Sequence, residues 1–326
     1  MSGSFLITGA TGFIGSMVMK RILQSREYAN GQTQIIVLVR SISKFRDMYR
    51  DYDCSKVVLI EGELCNKLPE KPIVQAIDYI IHCAAPTTSA YMITNPVETA
   101  NDIVLGTQNI LELAKKYKVK SMVYLSSMEV YGRVTDIGRT RTENELGEID
   151  IENVRSCYPL GKRMAEHYCY IYAQQYGVPV KIARLAQTFG IGVRAEDHRV
   201  YMQFARSVIE KKDIILKTQG LSMGNYCATE DAVNAIFIIL QKGVNGEAYN
   251  VVNEKNTMRI REMAQLVAEK IARGDIKVRV EIEDAQKTGY ASDTDLRLSG
   301  NKLRQLGWQP TKGMIEMYQD VLEEID

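Results

Sequence analysis

Histidine is scarce in this chain of 326 residues, and with it any sign of a metal centre. The three histidines, His82, His167 and His198, show no ligand spacing, and the six cysteines contain no Cys-x-x-Cys pair. In a chain of this length Cys54, Cys65, Cys83, Cys157, Cys169 and Cys227 read as reduced thiols, which implies a cytoplasmic protein. An excess of one charge is also missing. Lys and Arg total 41 against 40 for Asp and Glu, so no global field favours nucleic acid or an anionic membrane. Apolar runs such as Ala235 to Leu240 are too short to span a bilayer, and no charged-then-apolar leader opens the sequence. Repeats, low-complexity tracts and obvious linkers are absent as well. The length suffices for one large or two ordinary domains with a generous core.

What the chain does contain is a phenol placed four residues before an ammonium. In Ser156-Cys157-Tyr158-Pro159-Leu160-Gly161-Lys162, a helix puts Tyr158 and Lys162 on one face, one turn apart. A lysine there favours the phenolate, which suits acid–base work near neutral pH. Ser156 is a good N-cap and Pro159 is tolerated only in a first turn, so Tyr158 is expected near the positive end of the helix dipole.

A second pattern stands at the start. Phe5-Leu6-Ile7-Thr8 reads as a buried strand, Gly9-Ala10-Thr11-Gly12-Phe13-Ile14-Gly15 as a glycine turn, and Met17, Val18, Ile22 and Leu23 as a helix face. Strand, glycine turn and helix in that order is the setting of a dinucleotide fingerprint, here spaced Gly-x-x-Gly-x-x-Gly. Gly9 permits the tight turn, Gly12 lets backbone N–H groups approach a pyrophosphate, and Gly15 lets the helix pack closely on the strand. Strand-like runs at 5–8, 34–39, 56–60, 78–83, 121–126 and 180–185 alternate with helical patterns at 14–25, 97–117 and 156–176. That alternation predicts an α/β fold, a Rossmann-type doubly wound parallel sheet with helices on both faces.

Together these segments resemble the extended short-chain dehydrogenase/reductases, and within them the NAD-dependent epimerase/dehydratase group that modifies nucleotide sugars. The likeness is carried by Thr8 to Gly15, Ser126-Ser127-Met128-Glu129-Val130-Tyr131-Gly132 and Tyr158-x-x-x-Lys162. Asp78 to Ala85, Gly106 to Glu112, Arg184 to Gly190 and Leu306-Gly307-Trp308-Gln309-Pro310 follow in matching order. The resemblance implies a dinucleotide-binding domain over 1–189, to which a strand at 248–252 returns, and a smaller substrate-binding α/β lobe over 190–326. It also implies a homodimer joined through the helices 97–117 and 156–176.

Cofactor contacts implied by the resemblance are Gly9, Thr11, Gly12, Phe13, Ile14, Gly15, Arg40, Lys44, Glu63, Leu64, Cys83, Ala84, Ala85, Leu185 and Ala186, with Tyr158 and Lys162 at the nicotinamide end. The second strand ends Val39-Arg40-Ser41-Ile42-Ser43-Lys44, with two cations, two hydroxyls and no carboxylate. A 2′-phosphate finds charge-assisted donors in Arg40 and Lys44, so this edge favours NADP over NAD.

The catalytic group implied is Ser127, Tyr158 and Lys162, with Glu129 as a further acid–base or orienting carboxylate. Ser127 binds the C4 oxygen of a sugar, Tyr158 exchanges its proton, and hydride passes between C4 and the nicotinamide. The 4,6-dehydratases carry an Asp-Glu pair after the catalytic hydroxyl. Here the pair is Met128-Glu129, and a thioether cannot donate a proton, so dehydration is disfavoured. Glu129 also matches a glutamate of UDP-glucuronate decarboxylases. Ile103 stands where the family often has Asn, and Gly224 where an Arg commonly grips the substrate diphosphate. Thr87, Gln187 and Asn225 are candidate substrate contacts, and Arg194, Arg199 and Arg206 could add positive charge. The favoured expectation is an NADPH-dependent reductase of a nucleotide-linked 4-keto-6-deoxyhexose. The alternatives are a 4-epimerase or decarboxylase that retains NAD and, from another class, a dinucleotide-sensing regulatory protein.

Overall fold

Seven runs of apolar residues become the seven strands of one sheet: β1 (Gly3–Thr8), β2 (Thr33–Val39), β3 (Val57–Glu61), β4 (Tyr79–His82), β5 (Ser121–Ser127), β6 (Val180–Leu185) and β7 (Ala248–Val251). The computed structural model describes residues 1–66, 76–282 and 294–325. The stretch 283–293 of the expected second lobe therefore lies outside the described residues.

The strand order is β7-β6-β5-β4-β1-β2-β3, and the β1–β2, β1–β4, β2–β3 and β4–β5 registers are all parallel. Order reverses beside β1, so the connections leaving β1 and β4 part to opposite faces of the sheet and leave a crevice at the C-terminal ends of these paired strands. Strand periodicity explains how the sheet is covered. Leu6, Ile36, Leu38, Ile80, Met122, Tyr124 and Ile182 lie at alternate positions and pack against α2 (Pro96–Tyr117) and α3 (Cys157–Tyr176). The intervening Phe5, Ile7, Ile35, Val37, Ile81, Val123 and Ala183 are just as buried, as a sheet covered on both faces requires. Between α2 and α3 the contact is close because Gly161 faces Ile103, where an added Cβ would already touch the Ile103 side chain at 3.5 Å.

Contacts divide the chain into two compact units. The first comprises 1–132, 149–184 and 233–249 and holds most of this sheet; the second comprises 133–148, 185–232 and 250–326. The second unit has its own three-stranded sheet, in which Met223–Ala228 runs parallel to Gln187–Phe189 and antiparallel to Asn253–Arg259. Its core is aromatic. Phe189 stacks on Tyr201 at 4.4 Å and meets Tyr226 and Tyr318 edge-on. Trp308, the single tryptophan, is buried and donates to the Asp231 carbonyl at 3.0 Å.

The start of α3 departs from expectation. Ser156 does not cap it: its backbone is helical and its side chain makes no cap bond. An N-cap side chain bonds the N–H two or three residues on, and Pro159 at the third position has none. Instead a short 3-10 turn, Val154–Ser156, precedes the helix, and Asn153 caps that turn by accepting from the Arg155 N–H at 3.0 Å.

Candidate active site

The glycine turn after β1 is built as a cradle. Gly9 has φ of 71°, and a Cβ there would meet the Ala84 nitrogen at 2.7 Å and the Cys83 carbonyl carbon at 2.9 Å. A Cβ on Gly15 would lie 2.1 Å from the Gly9 carbonyl oxygen, so α1 (Phe13–Leu23) can start only where the third residue is glycine. Gly12 is the N-cap of α1, and no side chain caps it. The β1 and β4 ends thus bring Gly9, Gly12, Gly15, Cys83 and Ala84 together around a helix N-terminus stripped of side chains, which fits a dinucleotide pyrophosphate. Below it, Thr8 Oγ1 lies 2.6 Å from His82 Nδ1, and His82 Nε2 lies 3.2 Å from Thr107 Oγ1. Burial, reinforced by the Lys162 charge, lowers the His82 pKa to about 3, so this histidine is a neutral brace and no acid–base group.

Arg40 and Lys44 are exposed at the end of β2, as expected of groups that could meet a cofactor. The end of β2 itself carries no carboxylate, and the structure places one from the next strand beside it. Glu61, the last residue of β3, pairs with Val39 and accepts from the Ile42 N–H at 3.1 Å. Glu63 accepts from Asn66 at 3.1 Å, while the Leu64 carbonyl accepts from Asn109 of α2 at 2.7 Å.

The residues expected from sequence to be catalytic all lie in the first unit, at the end of β5 and the start of α3. Ser127 closes β5, and its Oγ accepts from the Glu129 N–H at 3.2 Å, forming the 3-10 turn Met128–Tyr131. Tyr158 and Lys162 lie one turn apart in α3, 7% and 3% exposed. Lys162 Nζ donates to the Leu125 carbonyl at 2.7 Å and stands 5.8 Å from the Tyr158 ring centroid and 4.7 Å from that of Tyr124. Burial lowers its pKa to about 8, against the opposing pull of Glu166. A buried ammonium one helical turn from a phenol is a charge of the sign that a phenolate needs.

Three contacts that sequence reasoning missed hold this group. Arg155 forms a two-point ion pair with Glu129, at 2.6 and 2.9 Å. Arg163 Nε donates to the Val130 carbonyl at 2.7 Å, tying the 3-10 turn to α3. One turn beyond Lys162, Glu166 is gripped by Arg184 of β6 at 2.6 and 2.9 Å, and Arg184 also donates to Tyr131 Oη at 3.1 Å. The i to i+4 spacing of Lys162 and Glu166 was visible in the sequence; the partner from β6 was not.

A dinucleotide cradle, a Ser-Tyr-Lys group and an uncharged histidine brace on one parallel sheet narrow the kin of this protein. The family model for the NAD dependent epimerase/dehydratase family matches residues 5–252. The chain belongs to that family. It is 27% identical over 306 residues to UDP-glucuronic acid decarboxylase 6 of Arabidopsis thaliana, covering 94% of this chain and 83% of that protein. It is 28% identical to UDP-glucuronic acid decarboxylase 1 of Danio rerio, covering 94% of this chain and 68% of the relative. Among solved structures it resembles UDP-glucuronic acid 4-epimerase from Bacillus cereus in complex with UDP-glucuronic acid and NAD, with a TM-score of 0.79, 19% identity and 99% of each chain covered. It also resembles dTDP-glucose 4,6-dehydratase from Bacillus anthracis in complex with NAD, with a TM-score of 0.77, 22% identity, and 98% of this chain and 96% of the other covered. The protein is thus an enzyme of the nucleotide-sugar epimerase/dehydratase type.

Thr87 is exposed just after β4. Leu185 ends β6, and Ala186 donates to the Val251 carbonyl at 3.1 Å. Gln187 opens the first strand of the second unit's sheet, half-buried. Asn225 is fully buried there, donating to the Leu296 carbonyl at 2.6 Å and accepting from the Leu298 N–H at 3.0 Å, so its amide serves that unit's packing. Arg199 is paired with Asp197, and Arg206 donates to the Ala195 carbonyl at 2.6 Å. The family's arginine at position 224 is excluded sterically: a Cβ on Gly224 would lie 2.4 Å from Tyr226 Oη. Among the described residues, no cluster of three His, Cys, Asp or Glu could hold a metal, and no helix is long and apolar enough to cross a membrane.

Proposed function

We propose that this enzyme keeps one NAD and uses it to oxidise C4 of a UDP-linked uronic acid transiently, with decarboxylation as the outcome. The observation that carries this reading is the pairing of a complete Ser127-Tyr158-Lys162 group with Met128 where a dehydratase needs an acid, next to a Glu129 fixed by Arg155. Epimerisation, dehydration and decarboxylation leave no net oxidation of the sugar, so the relatives' named reactions fit a retained cofactor better than the NADPH-consuming reductase expected from the β2 edge.

Gly9, Gly12 and Gly15 would hold the pyrophosphate of NAD, which would supply a reversible hydride acceptor for C4. The chain's own residues do the rest. Ser127 donates to the C4 oxygen and orients it, and Tyr158 as phenolate takes its proton while Lys162 holds the developing charge. A ketone at C4 makes the C5 carboxylate a β-keto acid. Its C–C bond then breaks with the electron pair flowing into the C4 oxygen, CO2 leaves, and protonation at C5 restores the ketone. No group need expel hydroxide from C6, so Met128 is no handicap.

Exposed Val97, Leu105, Met164 and Tyr170 on α2 and α3 support assembly as a homodimer through these helices. Six free cysteines are consistent with a cytoplasmic setting. The test is to incubate the protein with UDP-glucuronate labelled with carbon-13 at C6 and no added cofactor, following products by NMR. Labelled CO2 and a UDP-pentose are expected. A UDP-uronate epimer without CO2 makes the enzyme an epimerase. In a parallel assay with added NADPH and a 4-keto-6-deoxyhexose nucleotide, stoichiometric NADPH loss returns the reductase.

A further inference from the structure

We infer that Glu61 of β3 is the acid that selects NAD over NADP in this chain, accepting the 2′-hydroxyl of the adenosine ribose in place of the carboxylate that β2 lacks. The inference rests on the proposed use of NAD. Dinucleotide sites place an acidic residue at the C-terminal end of the second strand, against the ribose. Here that position carries Arg40, and the next strand makes up the difference. Val39 and Glu61 are partners in the parallel register, and the Gly62 N–H donates to the Val39 carbonyl at 2.9 Å, so both strands end together. The Glu61 side chain reaches across the turn leaving β2, where Oε1 accepts from the Ile42 N–H at 3.1 Å. That bond fixes the carboxylate and leaves its second oxygen as an acceptor.

Ser41 caps the helix Ile42–Met48 by accepting from the Lys44 N–H at 3.2 Å, and Glu61 serves a second free donor of that helix end with one oxygen only. The charges around it point the same way. Asp102 of α2 lies within the field of Arg40, so that cation already has a carboxylate near it on a neighbouring element. A 2′-phosphate brings about two further negative charges into that company. A neutral 2′-hydroxyl brings a donor.

The experiment is competition. Wild-type protein and Glu61→Gln are dialysed against equimolar NAD and NADP, and the dinucleotides released on denaturation are quantified. Wild type is expected to carry NAD over NADP by at least about tenfold, the ratio of one charge-assisted hydrogen bond. Glu61→Gln keeps the amide oxygen as an acceptor but removes the charge, and is expected to shift the ratio about tenfold toward NADP. Thermal unfolding of the variant provides the check that the exposed site tolerates the change. An unchanged ratio in a folded variant overturns the inference and leaves NAD use intact. Wild type that carries NADP in preference also overturns it. Wild type that carries neither dinucleotide overturns the proposed function itself, and the role of Glu61 with it.

Discussion

Arg155 grips Glu129 through both carboxylate oxygens, at 2.6 and 2.9 Å, from a position three residues ahead of Tyr158. Burial alone would lower the Arg155 pKa, yet the Glu129 hydrogen bonds and charge raise it, so the guanidinium is a permanent cation. Both side chains are about one-third exposed, 32% and 36%, which caps what the pair adds to folding. Arg155→Ala is therefore expected to leave the melting temperature within about 3 °C while turnover falls about tenfold or more. Arg155→Lys, which lacks the planar fork, is expected to recover only part of that loss. Unfolding scans beside product assays check both statements.

Lys162 is a residue that the fold would be better off without. Its folded pKa of about 8 lies below the ordinary 10.5, so the buried ammonium costs about 3 kcal/mol at neutral pH. Between pH 8 and 10.5 the unfolded chain holds the proton that the folded chain releases, so this cost fades and stability rises with pH. Lys162→Met is expected to be about 2 kcal/mol more stable than wild type at pH 7, inactive, and progressively less advantaged toward pH 10. Urea denaturation across that pH range measures it.

The Glu166–Arg184 pair behaves in the opposite way. With side chains 9% and 6% exposed it is sealed, and Glu166→Gln or Arg184→Met alone leaves a buried charge without its counterion. Each single change is expected to cost about 3–5 kcal/mol, whereas the double replacement Glu166→Leu with Arg184→Met restores much of the loss. A double-mutant cycle in urea decides between a coupled pair and two independent contributions.

His82 sets an acid limit. Its folded pKa of about 3 lies below the ordinary 6.5, so below pH 6.5 the unfolded chain takes up a proton that the folded chain refuses. Stability is expected to fall by about 3 kcal/mol from this residue between pH 7 and pH 4.5. Replacing it as His82→Asn is expected to lower stability at pH 7 yet flatten that acid slope, which calorimetry at a series of pH values would reveal.

Much of this architecture was legible in the sequence because the strands are buried on both faces and read as uninterrupted apolar runs. β6 begins and ends at the expected residues, and α2 and α3 each begin within one residue of expectation. The glycine spacing and the four-residue gap from Tyr158 to Lys162 are local, so they too were open to inspection. Contacts set by register were not. Glu61 matters through its pairing with Val39, Glu129 meets a partner 26 residues away, and Glu166 waits for β6. The Ser156 cap failed on a rule available in the sequence, the missing N–H of Pro159, which the capping pattern alone overlooked. Gly224 was visible as a lost arginine, but only the Tyr226 ring shows why no side chain fits there.

One strand ties the chemistry to the fold. Lys162 is anchored on the Leu125 carbonyl, and Ser127 follows two residues later on the same side of β5, which has β4 and β6 as neighbours. A site mounted this way has no local door. Amide exchange at the end of β5 is expected to proceed only as fast as the whole domain opens, so the hydroxyl and the ammonium are kept or lost together.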